Sequence, residues 1–197
     1  MKKTAFLLMI MLCANLSFSQ KKKTTAKKTT TEKTSSIKVD NLLAEVKGKT
    51  FQVTITEKGK PTDALIVKEL NDNLKPTDIK LSSFTASGTK LYLLQWTEKS
   101  NTKTDVKTED ITTVFSVIYE IATKKQVFSN FEKTSNIVEK VFLDKNKNAS
   151  ETQEKIRREG FVLTLNADGT ISQKNKTQEN KWVYDADKVD FVDAKKK

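Results

Sequence analysis

Six consecutive residues, Leu91-Tyr92-Leu93-Leu94-Gln95-Trp96, put apolar side chains on both faces of an extended chain, with Tyr92, Leu94 and Trp96 on one and Leu91 and Leu93 on the other. Successive side chains of a strand point to opposite faces, so a strand of this kind has to lie between two layers. Val114 to Ile121 repeats the pattern, with Phe115, Val117, Tyr119 and Ile121 in register. Phe51, Val53 and Ile55 instead alternate with Gln52, Thr54 and Thr56, which describes a strand with one face on a core and one in water.

Shorter apolar stretches at Ala64 to Val67, Ile79 to Thr85, Gln126 to Phe131 and Ile137 to Leu143 are separated by turn-forming residues, among them Gly59, Pro61, Pro76 and Lys124-Lys125. Phe161, Leu163 and Leu165 lead into Asn166-Ala167-Asp168-Gly169, a turn from which Thr170 to Gln173 returns as a hairpin. Trp182 with Tyr184, and Val189 with Phe191, predict a last hairpin. Ser100 to Asp110 has Val106 as its one apolar member and reads as a polar loop. Two segments carry helix signals. Asp40 precedes Leu42, Leu43, Ala44 and Val46, with Gly48 beyond. Ser150 and Gln153 have capping-box spacing, ahead of a run from Glu151 to Glu159 that stops at Gly160. About ten strands and two short helices predict a mainly β fold, an antiparallel barrel of about eight to ten strands or a β-sandwich.

The ends differ from this middle. Residues 1–19 have the three parts of a cleaved signal peptide: Lys2 and Lys3, the apolar run Ala5 to Ala14, and small residues at Ser17 and Ser19. That run is far shorter than the roughly 20 residues needed to span a bilayer, so no transmembrane segment is expected. Cys13, the one cysteine, follows Leu12 inside the run and reads as apolar filler, not as a lipid-bearing residue. The mature chain is then expected to fold without disulfides.

Residues 20–38 hold seven lysines and a single acid, Glu32, with almost nothing apolar, and are expected to be a disordered basic tail. Residues 39–194 are expected to form one β domain, followed by a basic end at 195–197. The formal net charge of +11 resides in these tails and in Lys2 and Lys3. The folded part therefore lacks the one-sided excess that a nucleic-acid groove requires, and no nucleic-acid partner is expected. The tail itself suits an anionic envelope surface or a solubilising spacer.

Histidine is absent and the mature chain has no cysteine, which removes the common nucleophile pairs, histidine-ligated zinc and the usual general base. No glycine-rich phosphate loop is present. Carboxylates alone can cleave glycosides when two face each other across a cleft, which makes Glu98, Glu120 and Glu139 the residues to locate. Asp144, Asn146 and Asn148 have the spacing that starts a calcium loop. Ala149 and Lys155 then stand where glycine and a bidentate glutamate belong, so a polar turn is expected in place of a metal site. Neither catalytic residues, nor a metal, nor a cofactor is expected.

The stretch Leu163-Thr164-Leu165-Asn166-Ala167-Asp168-Gly169-Thr170-Ile171, followed by Asn180-Lys181-Trp182-Val183-Tyr184 and a closing strand, resembles the bacterial secreted lipocalin-like domains. The front, from Leu42 to a glycine and then Phe51, has a similar order. The resemblance implies an antiparallel barrel whose interior holds one small apolar ligand. Tyr92, Trp96, Tyr119, Trp182 and Tyr184 are the aromatic side chains best suited to line such a cavity, with a polar tip to orient its occupant. The expectation is thus a secreted, non-enzymatic lipocalin-like module in the periplasm or outside the cell. The alternative is an envelope-associated interaction protein with a filled β core.

Overall fold

A computed structural model describes residues 36–71 and 74–196. The expected signal peptide and the tail as far as residue 35 lie outside the described residues, as do Asp72, Asn73 and, at the basic end, Lys197. The chain is mainly β and antiparallel, with thirteen strands among the described residues in three sheets. The first sheet contains β1 (Ile37–Val39), β2 (Leu42–Lys47), β3 (Thr50–Glu57) and β4 (Lys60–Glu69). The second contains β5 (Thr77–Ala86), β6 (Thr89–Lys103), β7 (Lys107–Glu120), β8 (Lys125–Phe142) and β9 (Ser150–Gly160). The third contains β10 (Val162–Leu165), β11 (Ile171–Lys174), β12 (Glu179–Asp185) and β13 (Asp190–Asp193), with a 3-10 turn at Ala194–Lys196. In every sheet the spatial order of strands is their chain order.

The doubly apolar stretch at Leu91 becomes part of β6 and serves two cores. Tyr92, Leu94 and Trp96, with Val117 and Tyr119 of β7, are buried with Leu42, Ala44, Phe51, Val53 and Ile55 of the first sheet. Leu91 and Leu93, with Ile118 and Val127, are buried with Ile171, Tyr184 and Phe191 of the third sheet. One sheet therefore supplies both clusters from opposite faces, as the alternation of β6 requires. The predicted hairpin after Phe161 is present: Leu165 pairs with Ile171, and the Asp168 carboxylate accepts bonds from the Thr170 backbone N–H (3.0 Å) and hydroxyl (2.6 Å).

Neither expected helix forms. Leu42–Lys47 is strand β2, because Leu42 and Ala44 point into the core while Leu43 and Glu45 are half-buried on the other side, a period of two that the run of apolar residues concealed. Asp40 does not cap a helix: its carboxylate accepts a bond from Tyr92 Oη (3.1 Å) and pairs with Lys90 (2.8 Å). The second expected helix is strand β9, which pairs with β8 from Phe142↔Ser150 to Glu132↔Gly160 without a register break. As a helix it would have had Ile156 alone to bury; as a strand it satisfies one side of its backbone against β8.

The polar segment Ser100 to Asp110 is also strand rather than loop for most of its length. β6 and β7 continue through it to a turn at Thr104–Val106, with Thr102 paired to Glu109 and Lys103 to Thr108. At the front, Ile37 and Lys38 belong to β1, so that strand takes in the last two residues assigned to the tail.

Candidate functional site

The five aromatic residues expected to line a cavity are divided between the two cores. Tyr92, Trp96 and Tyr119 lie in the first cluster, Tyr184 in the second, and Trp182 packs against the second from a partly buried position. Trp96 stacks on Phe115 with ring centroids 5.0 Å apart and meets Phe51 edge-on at 5.3 Å. Trp182 and Tyr184 pack against Phe128 and Phe191 at 5.6 and 5.4 Å. Four of the five polar tips are committed within the chain: Tyr92 Oη donates to Asp40 (3.1 Å), Trp96 Nε1 to Glu98 (2.9 Å), Trp182 Nε1 to Gln173 (2.7 Å) and Tyr184 Oη to Glu120 (3.1 Å), while Tyr119 Oη makes no hydrogen bond among the described residues. These four bonds satisfy the polar ends of the aromatic side chains within the chain.

Burial pushes the Tyr119 and Tyr184 hydroxyls up to about 12, with the Glu120 carboxylate adding to the effect at Tyr184, and burial also raises Tyr92. These are all three tyrosines of the chain. A raised value means that the folded state holds the proton more tightly than the unfolded one. The associated stability is therefore whole below pH 10, the ordinary tyrosine value, and is lost as pH climbs through about 12. The expected result of an alkaline titration is no full tyrosinate absorbance step near pH 10, with the Tyr119 and Tyr184 signal rising together with unfolding near 12. A full reversible step near 10 in folded protein would place these hydroxyls in water.

The three glutamates singled out for carboxylate chemistry do not face one another. Glu98, on the side of β6 that meets the first sheet, is 5% exposed; both its oxygens accept bonds from Lys68 Nζ at 2.8 Å, and the ammonium sits 5.4 Å from the Phe115 ring. Glu120 lies on the opposite face, bonded to Tyr184 and Thr123. Glu139 is far along β8 and pairs with Lys155. Each carboxylate is thus charge-paired or hydrogen-bonded structurally. Asp144 to Asn148 forms the turn between β8 and β9, where Asp144 Oδ1 accepts from the Asn148 backbone N–H at 2.9 Å. Among the described residues no group of three or more acidic or cysteine side chains is placed to hold a metal ion.

What the sequence did not signal is a surface. β9 is the outer strand of the second sheet and β10 the outer strand of the third, joined through Gly160 and Phe161, so two free sheet edges lie next to each other. Between them runs a groove of about 830 Å³, lined by Ile156, Val162, Arg158, Lys174, Lys176 and Glu132 among others. Ile156 is 64% exposed and Val162 50%. Pairing alternation puts Glu154 on the same face of β9 as the groove residues Ile156 and Arg158, and Gln153, Lys155, Arg157 and Glu159 on the other, although Glu159, at the strand's end beside Gly160, also borders the groove.

The two sides differ in their charges. On the far side Arg157 Nε pairs with Glu159 (2.7 Å), Lys133 with Glu159 (3.6 Å) and Lys155 with Glu139. On the groove side Glu154 and Arg158 make no ion pair among the described residues. The residues were legible only as a helix, because Glu, Gln, Lys and Arg favour helices when nothing else decides. No family model matches the chain, and neither a curated protein nor a solved structure matches it.

Proposed function

We propose that this chain is a secreted, non-enzymatic interaction module of a bacterial envelope, built from filled β layers and meeting its partner along the edge formed by β9 and β10. The observation that carries this reading is the separation of the five large aromatic side chains into two packed clusters on opposite faces of one sheet. A lipocalin-like carrier would need those rings to surround a common space. Here they fill two spaces, and among the described residues no buried side-chain nitrogen or oxygen is left without a partner that a ligand could supply.

The layered arrangement follows from the same facts. The middle sheet, β5 to β9, has one apolar face against β1–β4 and the other against β10–β13, and the strand orders are linear. Two filled cores leave the surface as the place where function resides, and the exposed apolar pair Ile156 and Val162 at adjoining edges is the part of it that water favours least.

Native mass spectrometry of the mature protein purified from its own cells tests the reading. The expected spectrum contains the polypeptide alone, in one or more assembly states. A discrete small molecule retained in proportion to protein would instead restore the ligand-carrying barrel.

A further inference from the structure

We propose that β9 pairs antiparallel with β9 of a second copy of this chain, about a two-fold axis through Ile156, joining two five-stranded sheets into one. The inference rests on the reading of this edge as the contact surface and names its partner. Strand addition supplies main-chain hydrogen bonds along the edge, while side chains on the two faces select partner and register. β9 offers eleven residues of regular pairing geometry to such an addition, and among the described residues its outer side has no neighbouring strand.

The side chains favour one register. With Ile156 opposite Ile156 of the second copy, Glu154 falls opposite Arg158 and Arg158 opposite Glu154, all on the groove side. These are the two charges that β9 itself carries on that side, neither in an ion pair among the described residues, and the symmetry of the axis brings each its complement. The same register brings Lys155 opposite Arg157 on the far side. There Glu139 and Glu159 of each copy already contact these cations, and because Glu159 also pairs with Lys133 the carboxylates offset the repulsion in part.

A shift of the axis by one residue in either direction is worse. One shift puts Lys155 opposite itself and Ile156 opposite Glu154; the other puts Arg157 opposite itself and Ile156 opposite Arg158. Charged residues on edge strands ordinarily discourage sheet-to-sheet association. On β9 they discourage the neighbouring registers and leave one open.

The test is a concentration series of the mature chain by light scattering and native mass spectrometry, with charge reversals on the exposed groove side. Wild type should dimerise. Glu154→Arg and Arg158→Glu, each setting like charges opposite one another at two places, should each weaken the dimer roughly tenfold or more. An equimolar mixture of the two variants should form a mixed dimer, since a strand with two cations on its groove side then faces a strand with two anions there. The double variant E154R/R158E should recover the homodimer.

Rescue of this kind cannot come from a variant that has failed to fold. A wild-type chain that stays monomeric, or a dimer indifferent to both reversals, overturns the proposal. Either result leaves the polypeptide mass bare, whereas a retained small molecule would overturn the function proposed above.

Discussion

Trp96→Ala is expected to lower the unfolding free energy by about 3–5 kcal/mol, the range for deleting a large aromatic side chain from a packed core. Trp96 is 4% exposed, stacked on Phe115 and edge-on to Phe51, so the space it leaves is bounded by rings on strands of two sheets that cannot close over it cheaply. Its loss also removes the indole N–H from Glu98, a buried carboxylate that then depends on Lys68 alone. Trp96→Phe should cost less, because most of the apolar volume remains, and since both variants lack the indole N–H the difference between them measures packing alone.

The chain has two tryptophans, one at each core, so Trp182 becomes the sole fluorescent indole in either variant and reports on the opposite side of the middle sheet. Because that sheet is shared, urea transitions followed by Trp182 fluorescence and by far-ultraviolet circular dichroism should coincide at the lowered midpoint. Two separated transitions, with Trp182 unaffected in the first, would mean that the cores fold independently.

Much of this architecture is written in side-chain alternation. Phe51, Val53 and Ile55 of β3, the two faces of β6 and the odd positions of β7 could each be assigned to a core from the residues alone, since each has a strong local period and a buried face to enforce it. What alternation cannot say is which buried faces meet. Tyr92 and Tyr184 look alike as half-polar aromatic residues on strands, and only the folding of the first and third sheets onto opposite sides of β6 separates them.

The polar strands were hidden for a different reason. β9 and the ends of β6 and β7 are polar on both faces, so no hydrophobic period marks them, and their conformation is imposed by the backbone of the neighbouring strand. The candidate contact surface lies on the least legible of these elements. An edge that pairs with another chain is specified by charges and a few exposed apolar residues, and those read as solvent-facing wherever they occur.

Gly160→Ala should cost roughly 2–5 kcal/mol although it adds a single methyl group, because the position combines a φ of +79° with backbone packed against backbone. A Cβ there would collide with the carbonyl group of Phe131 on β8, coming within 3.0 Å of the carbonyl carbon and closer still to the oxygen. That oxygen accepts the Phe161 backbone N–H at 3.0 Å, the bond that ties the passage from β9 to β10 against β8. Gly48→Ala provides the control: its φ is +61° but nothing lies within 4 Å of the added carbon, so about 1 kcal/mol of conformational strain is expected.

Urea denaturation of the two variants measures the difference, and equal losses would mean that φ alone matters at both positions. Backbone amide exchange locates it: in Gly160→Ala the Phe161 amide should exchange faster, while those of β6 and β7 stay protected. A link this tight explains how one residue can turn the chain from the second sheet into the third while keeping both free edges side by side, which a longer, looser connection could not do.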